Sequence, residues 1–333
     1  VIYHYYPEYT PPPPPSPPPA NDSDPLLLQA SSNWARDAAD LRQQISDYLG
    51  PAGTNIELVC TENNSDAGAL GRQLTSLVNG LYLADSLSQL MKTEFNACLW
   101  WDLRNGQNNN GSFDPTLYGW RTYGDEGIIY NSSANSVTKY PTFYAMKLMQ
   151  FFARPGDTVL GATSDYLLLS TYAVRHTDGS LAVLVINKDN ATNFNGQIRI
   201  SNYVPWTNAT IRSYGIPQDE AARTNGNAQA QDISTTDFSA ANADFTYSFP
   251  PYSLTLFTFP PAAPVLTISN AGLNQVLLQI HGQSGVPYVM EQSTDTMTWL
   301  RVSTNMLTGD LLNMTNPIAS GPSEKFWRAA WQP

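Results

Sequence analysis

Positive charge is scarce in this sequence. Lys and Arg number 17 against 28 Asp and Glu, the net charge is −11, and charged residues make up only 14% of the chain. A nucleic-acid partner wants clustered cations, and an anionic membrane surface attracts polybasic segments; neither partner is expected. Long apolar runs are missing too, none approaching the ~20 residues of a membrane-spanning helix. Histidine and cysteine are few. His4, His176 and His281 lie far apart, and Cys60 and Cys98 form neither a CxxC nor a metal-ligand spacing, so no metal site is encoded. Both cysteines fall in expected buried strands and read as packed thiols in preference to a disulfide. An initial Met and a signal peptide are also lacking. Val1-Ile-Tyr-His4 reads as the end of a strand, so the natural N-terminus is expected upstream and targeting is not directly legible.

What the chain does have is aromatic surface: 8 Trp, 18 Tyr and 12 Phe among neutral polar loops. This suits a carbohydrate partner, and a Tyr-rich secreted β protein would share it. Val1–Tyr6 is strand-like, and the proline run Pro11–Pro19 cannot continue a sheet. The run reads as a long loop more than as an interdomain spacer, because an ordinary helix–strand unit follows it. Trp34, Ala38, Leu41, Ile45 and Tyr48/Leu49 recur at three- and four-residue steps and predict a helix over 32–49, ended by Gly50-Pro51. A strand over 55–61, a helix over 70–92 and an almost continuously apolar strand over 95–101 follow. A polar loop then runs to Tyr140, and Pro141 opens a third helix, 142–152.

Strands alternating with helices predict a parallel sheet. A complete (β/α)8 barrel takes roughly 250 residues, so residues 1–155 have room for three of its eight units. From 156 to 260 the pattern turns all-β, with strands at 166–175, 180–187, 197–201, 209–214, 244–249 and 253–259, a flexible loop at 225–231, and Asp178-Gly179 as a hairpin signal. That pattern predicts a β-sandwich. After the linker Pro260–Pro264, residues 261–333 form a small β module with strands at 276–281, 288–292, 299–302 and 326–330. The fold class is therefore α/β plus all-β.

The chemistry gathers at strand tips. In a barrel, catalytic groups sit at the C-terminal ends of the strands, and Glu62 ends the run Asn55–Thr61. Strand side chains alternate, so Leu58, Cys60 and Glu62 share a face, and if the first two fill the barrel interior Glu62 stands at its mouth. The other reading of Glu62 is a loop carboxylate capping the next helix. Two neighbours favour the first reading. Tyr6 ends the preceding strand and can donate to the carboxylate; Trp100 and Trp101 end the following one, and an indole face is a platform for a sugar ring. Asn63, Asp102, Arg104 and Asn105 stand just beyond the tips as candidate ligands of sugar hydroxyls, though each taken alone reads more readily as a loop residue.

Three stretches carry a family likeness: Val-Ile-Tyr-His-Tyr-Tyr-Pro, Val-Cys-Thr-Glu-Asn-Asn-Ser, and Phe-Asn-Ala-Cys-Leu-Trp-Trp-Asp-Leu-Arg-Asn-Gly. They resemble strands six, seven and eight of clan A glycoside hydrolases. The nearest likeness is to family 51 α-L-arabinofuranosidase-like proteins, with family 44 endoglucanases and xyloglucanases next. The likeness extends through Leu181–Lys188 and Pro250–Phe257 to about residue 259. It implies a secreted or cell-surface retaining glycosidase acting on plant-type polysaccharide, without a cofactor or metal. Glu62 would be the nucleophile, Tyr6 and His4 its strand-six neighbours, and Trp100 or Trp101 the strand-eight tryptophan. The clan's acid/base, a Glu after Asn on strand four, has no counterpart here, and Glu8 gives no reason to be promoted to it. The isolated chain is therefore expected to be inactive and, with an open sheet edge, prone to aggregate. Two rivals remain: a carbohydrate-binding protein that has lost its chemistry, and a structural surface protein with no cleft around Glu62. The residues of the C-terminal module fit sugar binding, spacing or surface retention.

Overall fold

The computed structural model describes residues 1–8, 23–67, 73–106, 117–118, 126–133, 136–219, 230–272, 274–318 and 324–332. The proline run, the start expected for the second helix and most of the 225–231 loop lie outside these.

The first part of the chain alternates strand and helix: β1 (Ile2–Tyr5), α1 (Asp24–Ala30), α2 (Trp34–Leu49), β2 (Leu58–Asn63), α3 (Leu77–Leu90), β3 (Phe95–Trp100), a hairpin β4 (Ile129–Ser133) and β5 (Ser136–Lys139), and α4 (Pro141–Phe152). The stripe read from the sequence places Trp34, Ala38 and Ile45 of α2 inside. Helix α3 starts later than expected because Ser76 caps it, its side chain accepting from the Asn79 N–H at 3.2 Å. Pro141 stands in the first turn of α4, where no N–H is missed.

Strands β1, β2 and β3 form a parallel sheet in that order. One face is covered by helices: Tyr3, Tyr5, Trp34 and Phe95 form an aromatic cluster there, with Tyr5 OH bonded to the Ala30 carbonyl at 2.8 Å. The other face is open, leaving Ile2 71% and Leu99 52% exposed. Parallel sheets are ordinarily covered on both sides.

The rest is antiparallel. Strands β6 (Thr158–Leu160), β7 (Leu169–Arg175), β8 (Leu181–Asn187), β9 (Phe194–Arg199), β10 (Ala209–Gly215), β11 (Ser234–Phe238), β12 (Asp244–Phe249) and β13 (Ser253–Phe259) make a six-stranded sheet, order β11-β10-β13-β8-β7-β6, and a β12–β9 ladder. Every residue of β8 is buried because its two faces serve two cores. Ala182, Leu184 and Ile186 join α3 and α4 in the core that also holds the parallel sheet. Leu181, Val183 and Val185 pack with Phe245 and Phe249 of the small ladder. Strands β14 (Val265–Gly272), β15 (Gln275–His281), β16 (Pro287–Ser293), β17 (Leu300–Met306), β18 (Leu311–Pro317) and β19 (Phe326–Trp331) form two three-stranded sheets, β14-β15-β18 and β17-β16-β19, around a separate cluster centred on Leu278, Ile280, Tyr288 and Met290. Among the described residues no helix is long and apolar enough to cross a membrane.

Candidate active site

The strand β2 does not alternate as a regular strand would. Tyr3 pairs with Cys60 and the next residue, His4, pairs with Glu62; on the other side Cys60 pairs with Cys98 and Asn63 with Trp100. Relative to both neighbours, β2 holds one extra residue between Cys60 and Asn63, a β-bulge. The consequence corrects the expectation that Leu58, Cys60 and Glu62 share a face. Leu58 and Cys60 are fully buried against the helices. The extra residue turns Glu62 to the opposite, open face, in register with His4.

On that face Glu62 is held by two neighbours. The Tyr6 hydroxyl donates to Glu62 Oε2 at 2.8 Å, and His4 Nδ1 lies 3.3 Å from the same oxygen. Both contacts fall on Oε2, and the Glu62 side chain keeps 27% of its surface exposed. Burial raises the Tyr6 phenol well above its ordinary range; its hydrogen bond to Glu62 and the negative charges of Glu62 and Glu126 add to the effect. Tyr6 thus stays a proton-bearing donor at any working pH.

The tryptophans separate as adjacent strand residues must. Trp100 turns to the helix side, its ring 6.0 Å from that of Tyr82. Trp101 stands on the Glu62 side, 41% exposed, with its indole N–H donating to Glu126 Oε2 at 3.0 Å. The peptide bond between Trp101 and Asp102 is cis.

Asn63 is not a sugar ligand in this arrangement. It is fully buried, its amide donating to Ser86 Oγ at 3.0 Å and accepting from Tyr82 OH at 2.8 Å, both on α3. The bulge that sends Glu62 outward sends Asn63 inward. Its neighbour Asn64 is also buried and ties the strand tip together, donating to the carbonyls of Trp101 (2.5 Å) and Glu126 (3.1 Å). Asp102 is half-buried, and its main chain is bonded both to Glu126 and to Ile128. Arg104 is exposed and bridges Ile129 through its backbone. Glu126, unnoticed in the sequence, is the additional acidic group of the site. It lies 25 residues beyond Trp101 in a polar loop, and only the fold brings it alongside.

The arrangement is a carboxylate clamped through one oxygen at the tip of the central strand, with an indole ring and a second carboxylate on its open side. It has the parts for attack on an electrophilic carbon by the unclamped oxygen.

Solved structures that share this fold include glycoside hydrolases. Neither a protein-family model nor a curated protein matches the sequence. The α-L-arabinofuranosidase from Thermotoga maritima, solved with arabinose, superposes with a TM-score of 0.52 at 14% identity, covering 77% of this chain and 52% of that one. The family 51 arabinofuranosidase from Xanthomonas axonopodis pv. citri gives a TM-score of 0.51 at 13% identity, covering 78% and 52%. CelM2, a bifunctional glucanase-xylanase from a metagenome library, gives 0.50 at 17% identity, covering 78% and 43%. The chain resembles clan A glycoside hydrolases in structure, as its strand motifs suggest. It spans about half the length of the structures it matches.

Proposed function

We propose that this chain is the C-terminal portion of a secreted retaining glycoside hydrolase of α-L-arabinofuranosidase type, acting on plant polysaccharide. Residues 1–155 would be strands six to eight of a (β/α)8 barrel, 156–260 the β-sandwich beside it, and 261–333 a small accessory β module. The observation that carries the reading is Glu62, turned to the open face by the bulge and clamped through Oε2 by Tyr6 and His4.

In a retaining mechanism one carboxylate attacks the anomeric carbon and a second carboxyl protonates the leaving oxygen. Glu62 Oε1 is the attacking atom in this reading. The clamp on Oε2 fixes the rotamer, so the nucleophile is already oriented when the sugar arrives. Trp101 offers its face to the sugar ring, and Glu126 is placed to accept from a hydroxyl. The protonating carboxyl would come from strand four, outside these residues, so the chain alone should not cleave an unactivated glycoside.

A dinitrophenyl 2-deoxy-2-fluoro-glycoside tests the nucleophile without needing the acid, because dinitrophenolate departs unprotonated. The expected result is one sugar ester on Glu62, located by peptide mass mapping and absent from Glu62→Gln. Labelling by the arabinofuranosyl probe supports the family 51 reading; labelling only by the glucosyl or xylosyl probe moves it to a glucanase or xylanase. No ester at Glu62 with any of the three overturns the proposal. So does turnover of an aryl glycoside by the isolated chain that survives Glu62→Gln.

A further inference from the structure

Beyond the C-terminal end of α4 lies an open cavity of about 220 Å³ that the glycosidase reading does not use. Its walls are the end of α4 with the residues just after it, the turn joining β7 to β8, and single residues of β10 and β13. No wall residue belongs to the parallel sheet, so the edges and open face that a complete barrel would cover play no part in it.

Two cations line this cavity. Arg212 of β10 stands over the Phe151 ring, 4.2 Å from its centroid. Arg154 donates from Nε to the Gln150 carbonyl at 3.2 Å, which leaves its terminal nitrogens without a protein partner. Among the described residues neither guanidinium meets a carboxylate. Burial and the Arg154 charge together push the Arg212 pKa down, as happens when like charges are drawn together. The two carboxylates in the wall are already engaged. Asp157, its side chain 4% exposed, accepts from the main-chain N–H groups of Arg154 at 2.7 Å and Thr177 at 3.1 Å, and from His176 Nδ1 at 2.7 Å. Asp178 accepts from the N–H and the hydroxyl of Ser180 at 2.8 and 2.6 Å. A carboxylate offers only lone pairs, so the His176 proton sits on Nδ1 and Nε2 is left as an acceptor without a protein partner. The Thr258 hydroxyl of β13, also in the wall, is buried and unpaired, whereas a buried hydroxyl ordinarily has a partner.

We propose that this cavity binds a hydroxylated carboxylate of monosaccharide size. The forks of Arg212 and Arg154 pair with the ligand carboxylate, whose planar geometry they match. His176 Nε2 accepts from one ligand hydroxyl, and the Thr258 hydroxyl, donor and acceptor both, bonds to another. The Phe151 ring backs Arg212 and fixes the plane in which its fork is presented. Each unmet group of the wall thereby finds a partner: two cations, one acceptor nitrogen and one hydroxyl. An inorganic anion would match the cations and leave the imidazole acceptor opposed to it; a neutral sugar would leave both charges unmatched. The proposal is independent of the glycosidase reading.

The test is calorimetric titration of the full 333-residue chain with sodium glucuronate, with glucose, acetate and sulfate as comparisons. Glucuronate should bind saturably in the millimolar range or tighter, and each comparison at least about tenfold more weakly. Arg212→Gln and Arg154→Gln should each weaken glucuronate about tenfold or more. His176→Phe should bring glucuronate down to the affinity of acetate, because the hydroxyl acceptor is gone. Glu62→Gln should bind glucuronate as the wild type does. No saturable glucuronate binding, equal binding of any comparison, or undiminished binding in the arginine or histidine variants overturns the proposal. So does loss of binding in Glu62→Gln, which would put the sugar acid in the cleft at the strand tips. Should Arg212→Gln fail to fold by circular dichroism, Arg154→Gln decides, since Arg154 is exposed.

Discussion

Asp85 offers the sharpest test of how the helical and antiparallel parts are joined. It lies on α3, fully buried, and its carboxylate gathers groups from three places. The Ser31 hydroxyl ahead of α2 donates to it, as does Tyr172 OH of β7 at 2.5 Å, and Lys188 Nζ, just past β8, sits 3.3 Å away. The lysine side chain is only 8% exposed. Asp85→Ala would strand that ammonium and the Tyr172 phenol away from water. Removing one partner of a buried ion pair costs about 3–5 kcal/mol, a large share of the stability of a typical domain. Lys188→Met alone should cost less, because Asp85 keeps its two hydroxyl donors. The double variant Asp85→Ala/Lys188→Met leaves no stranded charge, so it should be more stable than the sum of the singles by at least ~1 kcal/mol. Urea unfolding followed by both tryptophan fluorescence and circular dichroism would measure this, and agreement of the two probes would license a two-state treatment. A cost below ~1 kcal/mol for Asp85→Ala, or strictly additive variants, would refute the argument that this carboxylate holds the two parts together.

Four further outcomes follow from the site. Tyr6→Phe removes a charge-assisted hydrogen bond of about 1.5–3 kcal/mol, so esterification of Glu62 by the fluoro-sugar probe should slow roughly 10- to 100-fold; an unchanged labelling rate refutes the clamp. Asn63→Ala should lower stability by about 1–3 kcal/mol by removing the acceptor of the buried Tyr82 hydroxyl, seen as a shifted urea midpoint, and leave any sugar affinity intact by calorimetry. At Gly127 an added Cβ would lie 2.5 Å from Asn105 N and 2.8 Å from Ile129 O, all backbone; Gly127→Ala should cost about 1–3 kcal/mol and pull Glu126 from Trp101, read as a change in tryptophan emission. Finally, because the Cys98 thiol is lowered and the thiolate is the reactive form, its alkylation rate should reach half-maximum at a lower pH than an ordinary cysteine's, by iodoacetamide labelling and mass analysis.

Much of the parallel part was legible because its signals are local. The stripe of α2, the proline opening α4 and the apolar run of β3 each follow from spacing or a special residue. The seven-residue helix α1 was missed, too short for periodicity to show. The hairpin β4–β5 carries no strand signal in the sequence because its strands are polar and short. Strands β11, β14 and β18 went unseen for a similar reason: they are rich in Ser, Thr and Asn, and most of their residues remain exposed. At the site, motif and position pointed to Glu62, Tyr6 and His4. What strand alternation could not supply was the side of the sheet, because an added residue in one strand leaves no compositional mark. For the same reason the sequence alone points Asn63 to the cleft, whereas the fold buries it against α3. Trp101 could be told from Trp100 only once one of them was seen against Tyr82, and Glu126 has no local signal at all.

The bulge has a consequence for how this chain should be compared with its kin. A homologue lacking the extra residue would need its acid one place nearer the strand's start to aim at the same cleft. An alignment that shifts the gap into the neighbouring loop would then pair Glu62 with a wall residue and hide the carboxylate that we propose as the nucleophile. Equivalence at this strand should be judged by superposed positions, and a single-codon deletion here should be ranked with substitutions of the acid itself.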